Sequence, residues 1–380
     1  LKRISIALVG CGGIMDSHVN GYRDLHNRGL TVFDIRATCD SLEQNAHEKA
    51  EAVAAFQGTK PKVYANLEEM LRKEKLDAVD VALPHNVHHT MACKCLEEGL
   101  DVIIEKPLAI TMRAAKLVMG EVERRGRTLA VAENYRRSSE NRGMWWAMRE
   151  GLIGDLRMIS WAAAGWGPRA WGWRGDKYVA GGSWVLDGGV HLADLDRYHL
   201  GKEAIDVHAV QETFDPIKDG VKVTVDDMTM AVIRFEGRTY VQWLWTRAAP
   251  GKAINNRTVY GSKGSLSGDE LTVQKEGSVE VYSMDAIVNK MMKDLSAEER
   301  ERMFPKGATD TFATELYDFY ESIVNGRRPE VDASEGYRDM AIPTAFYESA
   351  VLGRPVRVRD VEELKVEEYQ SDINEKLGIQ

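Results

Sequence analysis

The sequence predicts an α/β protein: an N-terminal doubly wound parallel sheet, then an α+β domain with a large, mostly antiparallel, open-faced sheet. Three observations carry this. Over the first 132 residues short β-rich runs alternate with helical stretches, and parallel strands require such crossovers. From about Tyr135 strands follow one another across short turns, the pattern of an antiparallel sheet. Finally, 380 residues suffice for about two domains, here 1–133 and 134–380.

Strand-like runs are Ile4–Val9, Val32–Cys39, a short Lys62–Ala65, Ala78–Leu83, Val102–Glu105 and Thr128–Ala132. Helical periodicity fills the gaps at Gly13–Arg28, Leu42–Phe56, Leu67–Lys73, Val87–Glu98 and Thr111–Arg124. In the second half, helices are expected at Ser139–Glu150 and Asp187–Leu200. Strands are expected at Leu156–Ala164, Val207–Phe214, Met228–Phe235, Thr239–Arg247, Arg257–Tyr260, Leu271–Lys275 and Val279–Ser283. All nine tryptophans fall between Trp145 and Trp245. Ser296-Ala-Glu-Glu299 has capping-box spacing, and amphipathic helices follow at Thr309–Asn325 and Glu335–Leu352. The acidic last twenty residues are expected along the surface of a neighbouring subunit.

The composition, 44% hydrophobic and 29% charged with a net charge of −9, is that of a soluble globular protein. An acidic chain without a basic stripe argues against nucleic acid or an anionic membrane as partner. No apolar run approaches the roughly 20 residues that span a bilayer. The apolar N-terminal run leads straight into a glycine turn and reads as a strand, not a signal peptide. The four cysteines, Cys11, Cys39, Cys93 and Cys95, lack metal-like or C-x-x-C spacing and read as buried thiols in a reducing compartment, the cytoplasm by default.

"ALVGCGGIMDSH" joins the first strand to the first helix. Gly10 permits a tight turn, and Gly12 lets backbone amides approach a pyrophosphate at the positive helix end. Met15 stands where a third small residue is usual and implies wider helix–strand packing. Asp40 ends the second strand, placed to accept hydrogen bonds from ribose hydroxyls and to repel a 2′-phosphate; no Arg follows it in Ser41-Leu42-Glu43. NAD is therefore favoured over NADP. A simple turn acid is the competing reading of Asp40.

"DVIIEKPLAIT" runs a buried strand into Glu105-Lys106-Pro107. Ligands bind at the carboxyl ends of strands in open parallel sheets, where this lysine emerges; Pro107 fixes the backbone there, in a cis bond on one reading. In "GGSWVLDGGVHLAD", Asp187, His191 and Asp194 are spaced by four and three residues, which places them near one face of a helix.

Together the G-x-G turn, the acid after strand two, "ALPHNVHH", "EKP" and "GGSWVLDGGVHLAD" resemble the Gfo/Idh/MocA family of NAD(P)-dependent sugar and inositol oxidoreductases. The resemblance spans nearly the whole chain in the expected order. It implies a Rossmann domain and an open-faced α/β domain, with Lys106, Asp187 and His191 at the nicotinamide. It implies cofactor contacts at Gly10, Gly12, Gly13, Ile14, Asp40, Pro84, Asn86, His88, Glu105, Lys106 and Asn134. It also implies a homodimer or homotetramer formed through the open sheet. Leu83, His85-Asn86, Ser139–Trp146 and Met284–Gly307 depart from the family pattern.

Oxidation of a secondary alcohol removes a proton from oxygen and a hydride from carbon. An imidazole suits the base role near neutral pH, so His191 is assigned it. Lys106 steadies the developing alkoxide, and Asp187 binds substrate hydroxyls and Lys106. Asp194 is given a structural role, bonded to backbone or to an arginine such as Arg197. Asn134 and Tyr135 face the nicotinamide or the substrate, while Arg136 anchors structure. On the loop "GWGPRAWGWRGDKY", Trp173 and Arg174 are substrate candidates, indole stacking on sugar C–H groups and guanidinium donating to hydroxyls; gluing the loop to the sheet is the alternative. The expected substrate is a sugar, cyclitol or glycoside. Two rival readings are glycoside cleavage through a retained, transiently reduced NAD and, with the catalytic residues present arguing against it, a non-catalytic sugar sensor.

Overall fold

The computed structural model describes residues 2–379. The chain forms two compact units. One joins the residues up to Ala109 with Ala114–Arg137 and Ser296–Gly336; the other joins Ile110–Arg113, Ser138–Leu295 and the chain from Tyr337 onward.

The first unit is a six-stranded sheet of β1 (Ile4–Val9), β2 (Phe33–Cys39), β3 (Lys62–Tyr64), β4 (Ala78–Val81), β5 (Asp101–Glu105) and β6 (Leu129–Ala132). Its order is β3-β2-β1-β4-β5-β6, with every pair parallel. The order reverses beside β1, which opens a ligand crevice at the carboxyl ends of the strands there. Every residue of β4, β5 and β6 is buried, as a sheet covered on both faces demands.

Helix α1 (Gly13–Asn27) lies on this sheet with Met15 and Val19 in the core beside Ile6 and Leu8. Leu316, Phe319 and Tyr320 of the helix Thr311–Asn325 join the same core. The two helices meet so closely that a Cβ on Gly21 would lie 2.9 Å from the Ala313 amide nitrogen. A single cut after residue 133 leaves Thr311–Asn325 with the C-terminal half; by packing, it belongs to the compact unit of the parallel sheet.

The second unit contains β7 (Leu156–Ala164), β8 (Ala204–Glu212), a two-stranded ribbon of β9 (Ile217–Lys218) and β10 (Val221–Lys222), β11 (Met228–Phe235), β12 (Thr239–Thr246), β13 (Ile254–Gly261), β14 (Gly264–Ser267), β15 (Glu270–Lys275), β16 (Ser278–Ser283) and β17 (Val356–Arg357). Apart from the ribbon these form one sheet, β16-β15-β14-β13-β7-β12-β11-β8-β17, in which only β7 and β12 pair in parallel. The sequence pattern misses β14, the ribbon and β17. Gly264-Ser-Leu-Ser267 has little β propensity, and its strand exists because β13 and β15 flank it.

Tryptophans organise the covered face of this sheet. Trp184 stacks between Trp161 and Trp245, with centroids 5.6 and 5.9 Å away. Trp243 packs edge-on to Phe346 and donates to Asp196 at 2.9 Å, which ties the sheet to the helix Gly189–Leu200. The opposite face leaves Met158, Val210, Met230, Val232, Tyr240 and Tyr260 exposed.

Two helices of the second unit meet each other closely. Trp146 of the helix Ser139–Arg149 donates to Asp294 at 2.9 Å, and Gly143 gives Val288 of the helix Met284–Asp294 room to approach. Part of the acidic tail packs into its own unit. Gln370 and Ile373 are buried in the second unit, where Gln370 accepts from the Met112 amide at 2.7 Å and donates to Glu348 at 3.0 Å. An amide able to satisfy two buried groups at once makes this end of the chain part of its own unit. Among the described residues no helix is long and apolar enough to cross a membrane.

Replacing Gly21 by Leu forces α1 away from Thr311–Asn325. Overpacking of this kind costs about 1–3 kcal/mol, so the urea midpoint falls; an unchanged midpoint would mean the two helices do not share one core.

Candidate functional site

The glycine turn is built for close approach. Gly10 has φ +83°, and a Cβ there would sit 2.1 Å from the Ala82 carbonyl oxygen. At Gly12 and Gly13 an added Cβ would meet nothing within 4 Å. Gly12 is the N-cap of α1 and supplies no side-chain cap. An uncapped helix end facing open space holds amide donors for an anion, so these residues fit a dinucleotide pyrophosphate. Ile14 is exposed in the same first turn.

Asp40 ties this turn to the end of β2. Its carboxylate accepts from the Cys11 amide at 2.7 Å and the Leu42 amide at 2.8 Å. Both oxygens thus hold backbone, each with a lone pair left for a hydroxyl donor. Burial, and then the charge of Asp40, push the Cys11 thiol up to about 12. All four cysteines are free thiols.

Lys106 follows β5 and is half-buried; its peptide bond to Pro107 is cis. Glu105 is buried beneath it and fastened from two sides. One carboxylate oxygen accepts from the Lys106 amide at 3.1 Å, and the other lies 3.1 Å from Nε2 of His18. Nδ1 of His18 lies 2.9 Å from Asp80, which also accepts from the Tyr22 hydroxyl at 2.9 Å. Burial by itself pulls the His18 imidazole down, but Asp80 and then Glu105 outweigh it and raise it well above its ordinary 6.5. The ring is an imidazolium between two carboxylates.

Glu315 completes the cluster from the helix Thr311–Asn325. It is buried, neither oxygen has a hydrogen-bond partner, and burial raises it well above the usual carboxylate range, so it is protonated. Reading motifs along the chain missed His18, Asp80 and Glu315. The available signal was an acid, Asp80, inside the otherwise apolar run "AVDVAL".

Of the other residues proposed on the cofactor side, Pro84 is exposed and Asn86 half-buried. His88 is fully buried, with its ring nitrogens 2.7 Å from the Pro107 carbonyl and 2.8 Å from the Leu83 carbonyl. It links the segment after β5 to the segment after β4. Burial, helped by the neighbouring His85, lowers it to about 4 against the opposing pull of the two carbonyls. Asn134 donates to Thr311 at 3.1 Å, Tyr135 is exposed, and Arg136 is buried.

In the second unit, Asp187 ends a one-turn helix (Trp184–Asp187), and Gly188 caps the next helix, Gly189–Leu200. The single helix expected from Asp187 onward is thus broken at Gly188; His191 and Asp194 share one helix, and Asp187 precedes it. Asp187 and His191 are nearly buried, and Asp194 is fully buried. Arg174 donates through Nε to Asp187 at 2.7 Å and lies 4.3 Å from the centroid of Trp173. Arg197 grips Glu203 at 2.7 and 2.8 Å and Asp339 at 2.6 Å.

A reversed-order parallel sheet with an open glycine turn, followed by a tryptophan-lined antiparallel unit, defines a dinucleotide-binding two-unit protein. Residues 4–133 match the family model described as an oxidoreductase family with an NAD-binding Rossmann fold, and residues 145–267 match the GFO/IDH/MocA C-terminal domain. The chain belongs to this family of NAD-binding oxidoreductases. It is 26% identical to a 1,5-anhydro-D-fructose reductase of Ensifer adhaerens over 335 residues, 87% of this chain and 95% of the relative. It is 27% identical to a levoglucosan dehydrogenase of Pseudarthrobacter phenanthrenivorans, with 92% and 97% covered. A solved levoglucosan dehydrogenase in complex with NADH and levoglucosan superposes with a TM-score of 0.77 at 24% identity, over 94% of this chain and 100% of that one.

His18→Leu strands Asp80 and Glu105 as buried charges, and removing one partner of such a group costs about 3–5 kcal/mol. Because the folded state raises His18 above 6.5, its contribution is complete below that pH and is lost as pH rises through the folded value. Urea titrations at several pH values should show this alkaline loss in the parent and not in the variant; parallel curves would exclude a charged His18.

Proposed function

We propose that this protein transfers a hydride between NAD and a secondary hydroxyl or ketone of a sugar, cyclitol or glycoside. The first unit carries the cofactor and the second the substrate. The observation that supports this most is Lys106 at the carboxyl end of β5, with its backbone anchored to a buried, doubly held Glu105. Sugar-active relatives aligned over most of the chain support a sugar as substrate class. NAD is favoured over NADP because the Asp40 carboxylate at the end of β2 repels a 2′-phosphate.

When bound, NAD accepts or returns the hydride. The chain manages the oxygen. His191 takes the hydroxyl proton. Lys106 donates to the same oxygen and stabilises its negative charge. Asp187, oriented by Arg174, accepts from substrate hydroxyls and Lys106. Asn134 and Tyr135 complete the nicotinamide side, and Trp173 stacks on the sugar. The reading requires Lys106 and His191 to reach one substrate oxygen. Free, buried or half-buried thiols suit a reducing compartment, the cytoplasm.

The exposed apolar face of the nine-stranded sheet supports a homodimer or homotetramer, since so extensive a patch is unusual on a monomer surface. Met230→Asp places a charge in that face and should lower the solution mass measured by light scattering; a parent that is already monomeric overturns this assembly.

The central experiment follows NADH formation over inositols, aldoses, anhydrosugars and glycosides, with NADP in parallel. Lys106→Ala should lower kcat by roughly 10²–10⁴-fold while NAD affinity, read by fluorescence quenching, stays near that of the parent. Full activity in that variant would remove Lys106 from the chemistry. Substrate turnover without net NADH would identify cleavage through a retained cofactor instead.

A further inference from the structure

The second unit contains a cleft that shares only Arg174 with the residues of the proposed reaction. It is lined by Trp171, Trp184, Trp245, Arg174, Lys218 and Arg247, together with Asp226 and Asp227. Its interior admits only a few water molecules, the size of one charged substituent and not of a whole sugar ring. Arg174 links it to the proposed chemistry, because its Nε already holds Asp187 at 2.7 Å.

The charges in this cleft are unevenly matched. Asp227 is engaged internally, accepting from the Phe214 and Asp215 amides at 2.9 Å each and lying 3.7 Å from Lys218. Asp226 is also engaged, accepting from Ser183 at 3.0 Å, Thr229 at 2.7 Å and Tyr347 at 3.0 Å. Burial pushes the Asp226 carboxyl up to about 6 in spite of those three hydroxyls. Lys218 spends a hydrogen bond on the Gly167 carbonyl at 3.2 Å.

The two arginines are not matched in this way. Arg247 lies 5.1 Å from the centroid of Trp171, and among the described residues no carboxylate pairs with it. It packs against Gly167, where a Cβ would come within 2.3 Å of its Nε, so glycine at that position admits the guanidinium. Arg174 uses Nε on Asp187 and leaves both terminal nitrogens without an acid. Two planar donor forks beside indole faces, with the local acids already satisfied, match the recognition of an anionic group.

We propose that this cleft seats an anionic substituent of the sugar substrate, a carboxylate or a phosphate or sulfate ester, held by Arg247 and the terminal nitrogens of Arg174. The proposal rests on the sugar-oxidoreductase reading and narrows its substrate class to charged sugars. A guanidinium–anion pair replacing solvent in a part-buried site corresponds to about tenfold or more in affinity.

Calorimetry with NAD present tests it, comparing glucose with glucuronate and with phosphate and sulfate esters of glucose, alongside NADH formation on the same panel. The expected result is at least about tenfold tighter binding of one anionic sugar than of glucose, the tightest arm identifying the group. Arg247→Gln should erase that preference, and Arg247→Lys should retain part of it. Glucose binding as well as all three anionic sugars, or a preference untouched in Arg247→Gln, overturns the cleft assignment. NADH formation without any anionic preference overturns the cleft and leaves the enzyme reading standing. Anionic preference with no NADH formed supports the cleft and removes the enzyme reading.

Discussion

The first unit depends on a buried imidazolium. His18 reaches from α1 to two neighbouring strands, meeting Asp80 in β4 and Glu105 at the end of β5. Without it, two carboxylates would face each other in an interior where an unpaired charge costs several kcal/mol. With it, the helix that begins at the glycine turn and the strand that delivers Lys106 are locked to one another. The glycine turn and Lys106 thereby belong to elements joined through one buried group. Glu315, kept neutral by burial, adds a third acidic side chain without adding a charge.

The second unit solves a different problem. Its sheet offers one face to helices and leaves the other bare. Tryptophan suits the covered face because the ring fills wide gaps while its N–H can satisfy a buried acid, as Trp243 does for Asp196. The same residue type lines the cleft beside Arg174 and Arg247. The cleft-lining Trp184 and Trp245 thus belong to the stacked tryptophan layer of the covered face.

Local pattern was a good guide where chemistry is local. The crossover alternation, the G-x-G turn, Asp40 and the Glu105-Lys106-Pro107 strand end were legible because each depends on neighbours within a few residues. The break at Gly188 was hidden, since a spacing of four looks the same in one helix as in two joined at a near-helical glycine. The sequence pattern was equally silent on β14, which borrows its conformation from flanking strands, and on the way Gln370 fastens the tail to its own unit.

The amino-acid order alone determined the parallel-then-antiparallel architecture, the nucleotide turn and the lysine at a strand end, because periodicity and turn chemistry act over short stretches of chain. Only the tertiary structure decided that Thr311–Asn325 closes the core of a sheet nearly two hundred residues earlier, that two carboxylates raise His18 against the effect of its burial, and that among the described residues no carboxylate pairs with the Arg247 guanidinium. Those outcomes depend on burial and on which distant groups arrive together, and neither quantity is written in any local pattern.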